Sequence, residues 1–238
     1  MELFKEYEET INRINKINKR NLLVPDLLIG KEADLEVFYA PFEYLNRKAK
    51  VVITGITPGY IQMENAYKSF VINKTNKDRF KIIKDSASFS GPMRKILVRY
   101  LDEIKLNELL EINSCESLFN ENSNLLHSTS LIKYPVFKNK KNYTGYSPEI
   151  FSSSLLKKVL LENYTEEIYK LDNPVIIPLG KAVEKVLLNL SKKGLISKDE
   201  CLFGFPHPSP ANGHREKQFR EKKQHLCSII QRKKTQLG

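Results

Sequence analysis

Two short runs, Ala49 to Gly55 (AKVVITG) and Pro174 to Leu179 (PVIIPL), predict an α/β protein built on a parallel sheet with helices on both faces. Both are β-branched and apolar without alternation, as strands buried on both faces must be. Segments with helical period lie between such runs. Gly, Pro, His and Ser collect at the predicted strand ends, where folds of this kind place their ligands.

The elements follow in order. Leu3, Tyr7, Ile11, Ile14 and Ile17 recur every three or four residues and predict a helix over 1–24, stopped before Pro25. Residues 49–55 are the first strand, ended by Gly55. A helix is expected over 91–110, with Pro92 in its first turn and Met93, Ile96, Leu97, Tyr100, Leu101 and Ile104 on its apolar face. Residues 124–131 (NLLHSTSL) read as a strand with a polar end, and 138–148 as a basic loop punctuated by Gly and Pro. A helix over about 148–162 precedes the 174–179 strand, and Gly180 opens the helix AVEKVLLNL. A last short strand, 201–206, runs into HPSPAN. The basic C-terminal helix, over 215–238, holds eight Lys or Arg against two Glu within 214–234. With no repeat, low-complexity stretch or linker, a single domain over 1–238 is the expectation.

Composition narrows the function classes. With 39 Lys plus Arg against 28 Asp plus Glu, the net charge of +11 suits a polyanionic partner, nucleic acid first, or simply a Lys-rich solvated surface. Cys115, Cys201 and Cys227 are scattered and odd in number, so neither a disulfide framework nor a metal site is expected. The acidic N-terminus without an apolar segment does not read as a signal peptide, and no run reaches membrane-spanning length. The expectation is an intracellular protein, cytoplasmic in a bacterium, acting as a monomer.

Several chemistries lack their signatures. There is no GxxxxGK[ST], no GxGxxG and no GxSxG, and His127, His207, His214 and His225 show no metal-ligand spacing. Two stretches remain. Gly55 to Met63 (GITPGYIQM) follows the first strand as a Gly/Pro turn carrying a hydroxyl at Thr57. His207-Pro208-Ser209-Pro210 follows the last strand. Its prolines would hold His207 rigidly, ready to support an oxyanion, with Ser209 and nearby N–H groups available to a phosphate.

Together these turns resemble the uracil-DNA glycosylase superfamily, most closely its single-strand-selective monofunctional branch. That branch has G-M-N-P-G-x-x-x-M where this chain has Gly55, Ile56, Thr57, Pro58, Gly59, Tyr60, Ile61, Gln62 and Met63. Its base-stacking Phe lies 13 residues after the Asn, and Phe70 stands 13 after Thr57. Its V-H-N is similar to Leu126-His127-Ser128, its P-L-L-F to Pro135-Val136-Phe137, and its N-L-T-P to Asn142-Tyr143-Thr144 with Ser147-Pro148. Its H-P-S-P-x-N matches His207 to Asn212. The likeness runs in order over roughly 49–215.

The resemblance implies a three-layer α/β/α sandwich with a central four-stranded, mostly parallel sheet. It implies a monofunctional glycosylase that acts on DNA, single- or double-stranded, with no cofactor and no metal. By position, His207 would support charge on the leaving base and Thr57 would stand for the Asn that positions water. Ser128 would replace the Asn that reads the base edge. Gly55, Ile56, Pro58, Gly59, Tyr60, Met63, Phe70, His127 and Ser128 would form the base pocket. Asp85 and Glu64 are further candidates for a base. After HPSP, His214 or Arg215 would enter the duplex and Asn212 would meet the partner strand. Ser209, Pro210, Lys140 and Lys141 complete the expected DNA contacts.

Thr57 and Ser128 both depart from the family pattern: Thr57 can hold a water by its hydroxyl but lacks the amide's paired donor and acceptor, and Ser128 is shorter than Asn and cannot make its bidentate contact. A pocket that hydrogen-bonds one base edge rejects others strongly, so losing both amides relaxes that rejection. The expected substrate is therefore a pyrimidine bulkier than uracil, such as a hypermodified cytosine of viral DNA, removed in antiviral defence. Uracil repair, a catalytically weak DNA-binding protein of this fold and a nucleoside hydrolase are the competing readings.

Overall fold

The computed structural model describes residues 2–87 and 91–237. Seven strands occur among them: β1 (Leu28–Glu32), β2 (Leu35–Phe38), β3 (Val51–Gly55), β4 (Leu126–Ser130), β5 (Val136–Lys138), β6 (Lys141–Asn142) and β7 (Val175–Pro178). They form two sheets, in a chain that divides into two interleaved units. The first unit takes in Met1–Leu45, Ile56–Ser88 and Ser130–Glu166; the second takes in Asn46–Gly55, Phe89–Thr129 and Glu167–Gly238.

The second unit carries the parallel architecture. Its sheet has the order β4-β3-β7, and β3 pairs parallel with β7 from Val51↔Val175 to Thr54↔Pro178. One face sends Val51, Ile53, Val175 and Ile177 into a core shared with Leu97, Tyr100 and Leu101 of the Gly91–Glu103 helix and Phe219, Leu226 and Ile230 of the Arg215–Leu237 helix. Val52 and Ile176, also fully buried, face the other way. Burial on both faces explains the unbroken apolar runs. The expected fourth strand at 201–206 is one isolated parallel bridge, Ile176↔Cys201. Gly204, at φ 96°, turns the chain too soon for a ladder, and Pro206 has no N–H to give one.

The first unit holds a sheet that periodicity did not reveal: β1-β2-β5-β6, antiparallel throughout. Its strands are short, and β6 with the last residue of β5 lies inside the stretch expected to be loop. The β5–β6 turn is a two-residue hairpin, Asn139-Lys140, with φ of 49° and 61°. Positive φ at both positions suits the right-handed twist of the flanking strands. Asn tolerates it, while Lys140 does so at a cost of about 1 kcal/mol or more. Asp34 offsets this by accepting from the Asn139 backbone N–H (3.1 Å, at its carbonyl) and side-chain amide (3.0 Å, at Oδ2).

The Tyr60–Ile72 helix covers this unit's core with Met63, Ala66, Tyr67 and Phe70. Phe70 meets Phe4 at 5.9 Å, and Tyr7 stacks on Tyr39 at 4.4 Å. The N-terminal helix is shorter than expected, Glu2–Asn12, followed by a separate turn of helix, Lys19–Leu22. Asn18 sits extended (φ −156°) and accepts from the Asn21 N–H at 3.1 Å, a cap that starts the second piece and forbids a continuous helix. The 91–110 helix likewise ends at Glu103, because Lys105 adopts φ 69° before a short Leu106–Leu109 helix. Over 148–162 the chain forms a 3-10 turn, the Ser154–Val159 helix capped by Ser153, and a π-helical stretch Leu160–Thr165.

Candidate functional site

In the second unit, the loop after Phe205 is built around His207. The backbone N–H of Ser209 donates to His207 Nδ1 at 3.1 Å. An N–H donor on Nδ1 requires a lone pair there, so it assigns the ring proton of the neutral imidazole to Nε2. Burial of the ring pushes its pKa below the ordinary 6.5. The residue is nevertheless exposed by surface area, and no partner meets Nε2 among the described residues. The Nδ1 contact favours the neutral form by geometry alone. The outcome is a neutral, fixed hydrogen-bond donor at the surface of this unit.

Gly180 makes that position possible. At φ 87° and ψ 171° it occupies a region reserved for glycine, and a Cβ there would lie 3.0 Å from the His207 Cβ. Its N–H donates to Phe205 O at 3.3 Å. Glu184, one turn into the Lys181–Lys192 helix, accepts from the Gly204 N–H at 2.6 Å and sets the turn that leads to Phe205. Sequence reading missed both residues as parts of the site. A glycine directly after a buried strand was the available signal for the first.

The loop beyond His207 is wired to itself. Asn212 donates through Nδ2 to His207 O (3.1 Å) and Gln218 Oε1 (3.0 Å), and its Oδ1 accepts from the His214 N–H. Ser209 Oγ accepts from the Ala211 N–H at 3.2 Å. Arg215 Nη1 donates to Pro210 O (3.1 Å) and Asn212 O (3.0 Å). Asn212 and Arg215, expected to reach DNA, thus spend those donors on the loop's own shape. The side chain of His214 is exposed and has no such tie among the described residues.

His127 and Ser128 lie on β4, whose alternation buries His127 and Thr129 and leaves Ser128 half-buried on the opposite face. His127 Nε2 lies 3.4 Å from Glu167 Oε2, and Thr129 Oγ1 donates to the same oxygen at 2.7 Å. Glu167, 5% exposed, was invisible to motif reading because it is distant in sequence.

In the first unit, the turn at 56–63 is equally ordered but differently spent. Thr57 Oγ1 donates to Tyr134 O at 2.9 Å and accepts from the Val136 N–H at 3.1 Å. Its one proton is thereby committed, so a water at Thr57 would have to donate to it. Ile56 O accepts from the Ile132 N–H at 2.9 Å. At the start of the Tyr60–Ile72 helix, Gln62 Oε1 accepts from the Gly59 N–H (2.9 Å) and Asn142 Oδ1 from the Tyr60 N–H (3.0 Å). A Cβ on Gly59 would lie 3.2 Å from Asn142 Nδ2, so this close approach favours glycine.

Met63 and Phe70, expected to wall a base pocket, are 0% and 1% exposed. Their spacing with Ala66 and Tyr67 is the core stripe of an amphipathic helix, which leaves no ring face open to a base. Pro58 is buried, and Gly55 (which ends β3), Ile56 and Tyr60 are half-buried. Glu64 and Asp85 face their own helices' lysines, Lys68 at 3.5 Å and Lys81 at 3.0 Å. Lys140 and Lys141 are exposed.

Among the described residues no group of three or more His, Cys, Asp or Glu side chains is placed to hold a metal ion. No described helix is long and apolar enough to cross a membrane.

The protein is thus of mixed α/β class, with one parallel and one antiparallel sheet. The chain belongs to the family of the uncharacterized protein YoxB of Bacillus subtilis (strain 168), to which it is 40% identical over 229 residues, 93% of this chain and 90% of that protein. No protein-family model and no solved structure matches the chain.

Proposed function

We propose that the protein is a monofunctional DNA glycosylase acting on a pyrimidine bulkier than uracil, such as a hypermodified cytosine of viral DNA, in antiviral defence. The observation that carries this reading is His207: a neutral imidazole, locked through Nδ1, that presents Nε2–H from a rigid proline loop. Hydrolysis of an N-glycosidic bond moves the bonding pair onto the base, while water adds its oxygen to the sugar carbon and releases a proton. A fixed donor aimed at the base oxygen favours the leaving anion without reorganising. Because the donor is neutral, it does not surrender its proton to an anion that needs only a hydrogen bond. The order of motifs over 49–215 supports the glycosylase family and, with it, a three-layer sandwich of the family's type.

The enlarged substrate rests on Thr57 and Ser128, which both lack the amide of the Asn residues in the pattern they resemble, Ser128 being also the shorter side chain. The competing reading, a catalytically weak DNA-binding protein, is favoured by the committed proton of Thr57. Oligonucleotides carrying uracil or a glucosylated hydroxymethylcytosine, incubated with the protein and cleaved with alkali at abasic sites, separate the readings. The expected product arises from the bulky base. Release of uracil alone would return the protein to repair, and no abasic product with any base would leave only binding.

A further inference from the structure

One strand of the second unit is poorly specified by its own sequence. β4 reads LHSTS, and its one apolar residue, Leu126, is only half-buried. In the order β4-β3-β7 it has a neighbour on one side alone among the described residues. Its entry is held through the backbone. Asn46 Nδ2 donates to the carbonyls of Asn124 and Leu126 at 2.8 Å each, and the Lys50 N–H donates to that of Leu125 at 2.9 Å. Apolar alternation is what fixes the inward face of most strands, and a slip of one residue exchanges the two faces. From His127 to Ser130 every side chain is polar, so that guide is missing.

The alternation is nevertheless sharp. His127 and Thr129 are 1% and 6% exposed, while Ser128 between them is half-buried on the other face. Glu167, from the short Glu166–Tyr169 helix, meets both inward side chains with one oxygen. Its Oε2 accepts from Thr129 Oγ1 at 2.7 Å and stands 3.4 Å from His127 Nε2. A buried carboxyl is costly unless it is bonded, so it selects the strand face that can bond it. Exchanging the faces would withdraw His127 and Thr129 together and turn Ser128 inward.

We infer that Glu167 is a positioning residue: by clamping His127 and Thr129 it fixes the face of β4 that presents Ser128, and with it the choice of base. Glu167 acts through the strand and touches no substrate. The choice of base rests on the glycosylase reading, in which Ser128 meets the base edge. The fixing of the strand face does not, and it is measured without DNA.

Ser128→Cys and Thr129→Cys, alkylated with iodoacetamide and mapped by peptide mass, read the face directly. Half-buried Cys227 and buried Cys115 and Cys201 are standards within the chain. The thiol at 128 should react at least about tenfold faster than that at 129, where a weak S–H donor keeps the tie to Glu167. Adding Glu167→Ala should bring the two rates within about threefold, whereas Glu167→Gln, whose oxygen still accepts, should keep them apart. In base release, Glu167→Ala should lower the preference for the bulky base over uracil about tenfold or more, and Glu167→Gln should hold it within about twofold. If melting curves show that Glu167→Ala does not fold, Thr129→Val takes its place, since it keeps the shape and removes only the 2.7 Å bond. The rate at 128 relative to Cys227 should then change at least about threefold, and an unmoved rate overturns the clamp. Labelling that is the same in Glu167→Ala and parent overturns the clamp and leaves the enzyme. A lost labelling contrast with unaltered base preference overturns the link from strand face to base. No abasic product from any variant, with the labelling as expected, removes the glycosylase reading and leaves the clamp.

Discussion

Two proline turns, one in each unit, use their polar groups in opposite ways. At 56–63 the Thr57 hydroxyl and the first helical N–H groups are consumed by Tyr134, Val136, Gln62 and Asn142. At 207–215 the internal bonds are just as dense, but they are made by Ser209, Asn212 and Arg215 and leave the Nε2–H of His207 unspent among the described residues. A motif letter therefore says little about chemistry until its hydrogen-bond capacity is accounted for. Thr57 resembles a catalytic position and works as a latch, while Asn212 and Arg215 resemble DNA contacts and work as a frame for His207.

The comparison is broken or sharpened most strongly at His207. His207→Ala should lower single-turnover base release by about 10²–10³ while the fold persists, as for loss of one oxyanion donor. A drop of less than tenfold would remove the functional contrast between the turns. Gly180→Ala comes next: forcing an L residue into that backbone region should cost roughly 1–3 kcal/mol in urea unfolding and displace His207. An unchanged midpoint with intact activity would mean that the strand–helix junction yields freely.

Thr57→Val should destabilise by about 1–2 kcal/mol, since it orphans the Val136 N–H and the Tyr134 carbonyl, whereas Thr57→Ser should be nearly neutral. Equal stability of the valine and serine variants would contradict the latch. Asn142→Ala, which removes one acceptor from a helix start, should cost about 1 kcal/mol or less.

The smallest effect is with pH. His207 has a pKa lowered from 6.5, so the unfolded chain binds the proton first as pH falls. Its contribution to stability is complete above about 6.5 and is lost on acidification toward the folded pKa. Nitrogen chemical shifts of the imidazole should report a proton on Nε2 throughout the neutral range. A proton on Nδ1 would contradict the Ser209 contact.

The parallel strands and their long helices were legible because their physics is local and repetitive. Val51 to Ile53 and Val175 to Ile177 needed no partner to be recognised as buried on two faces. The antiparallel sheet was not legible, since β5 and β6 have three and two residues and a basic turn between them masks the hairpin. In the site, His207 could be singled out by its flanking prolines. Glu184 and Glu167 could not, because their partners lie 20 or more residues away; Gly180 carried a signal by following a buried strand, but its neighbour His207 is equally distant in sequence. Phe70 was misplaced by motif spacing, although its helical register with Met63, Ala66 and Tyr67 already pointed to the core.

Sequence by itself determined the strands β3, β4 and β7 and the main helices of the parallel unit to within a few residues, though not the 201–206 segment, together with the excess of positive charge and the two turns where chemistry is worth seeking. Those follow from side-chain periodicity, composition and the backbone limits of Gly and Pro, all of which act within a few residues. Tertiary structure alone decided which polar atoms in those turns remain available. A hydroxyl or an imidazole nitrogen is spent or free according to which distant N–H or carbonyl the fold brings within about 3 Å.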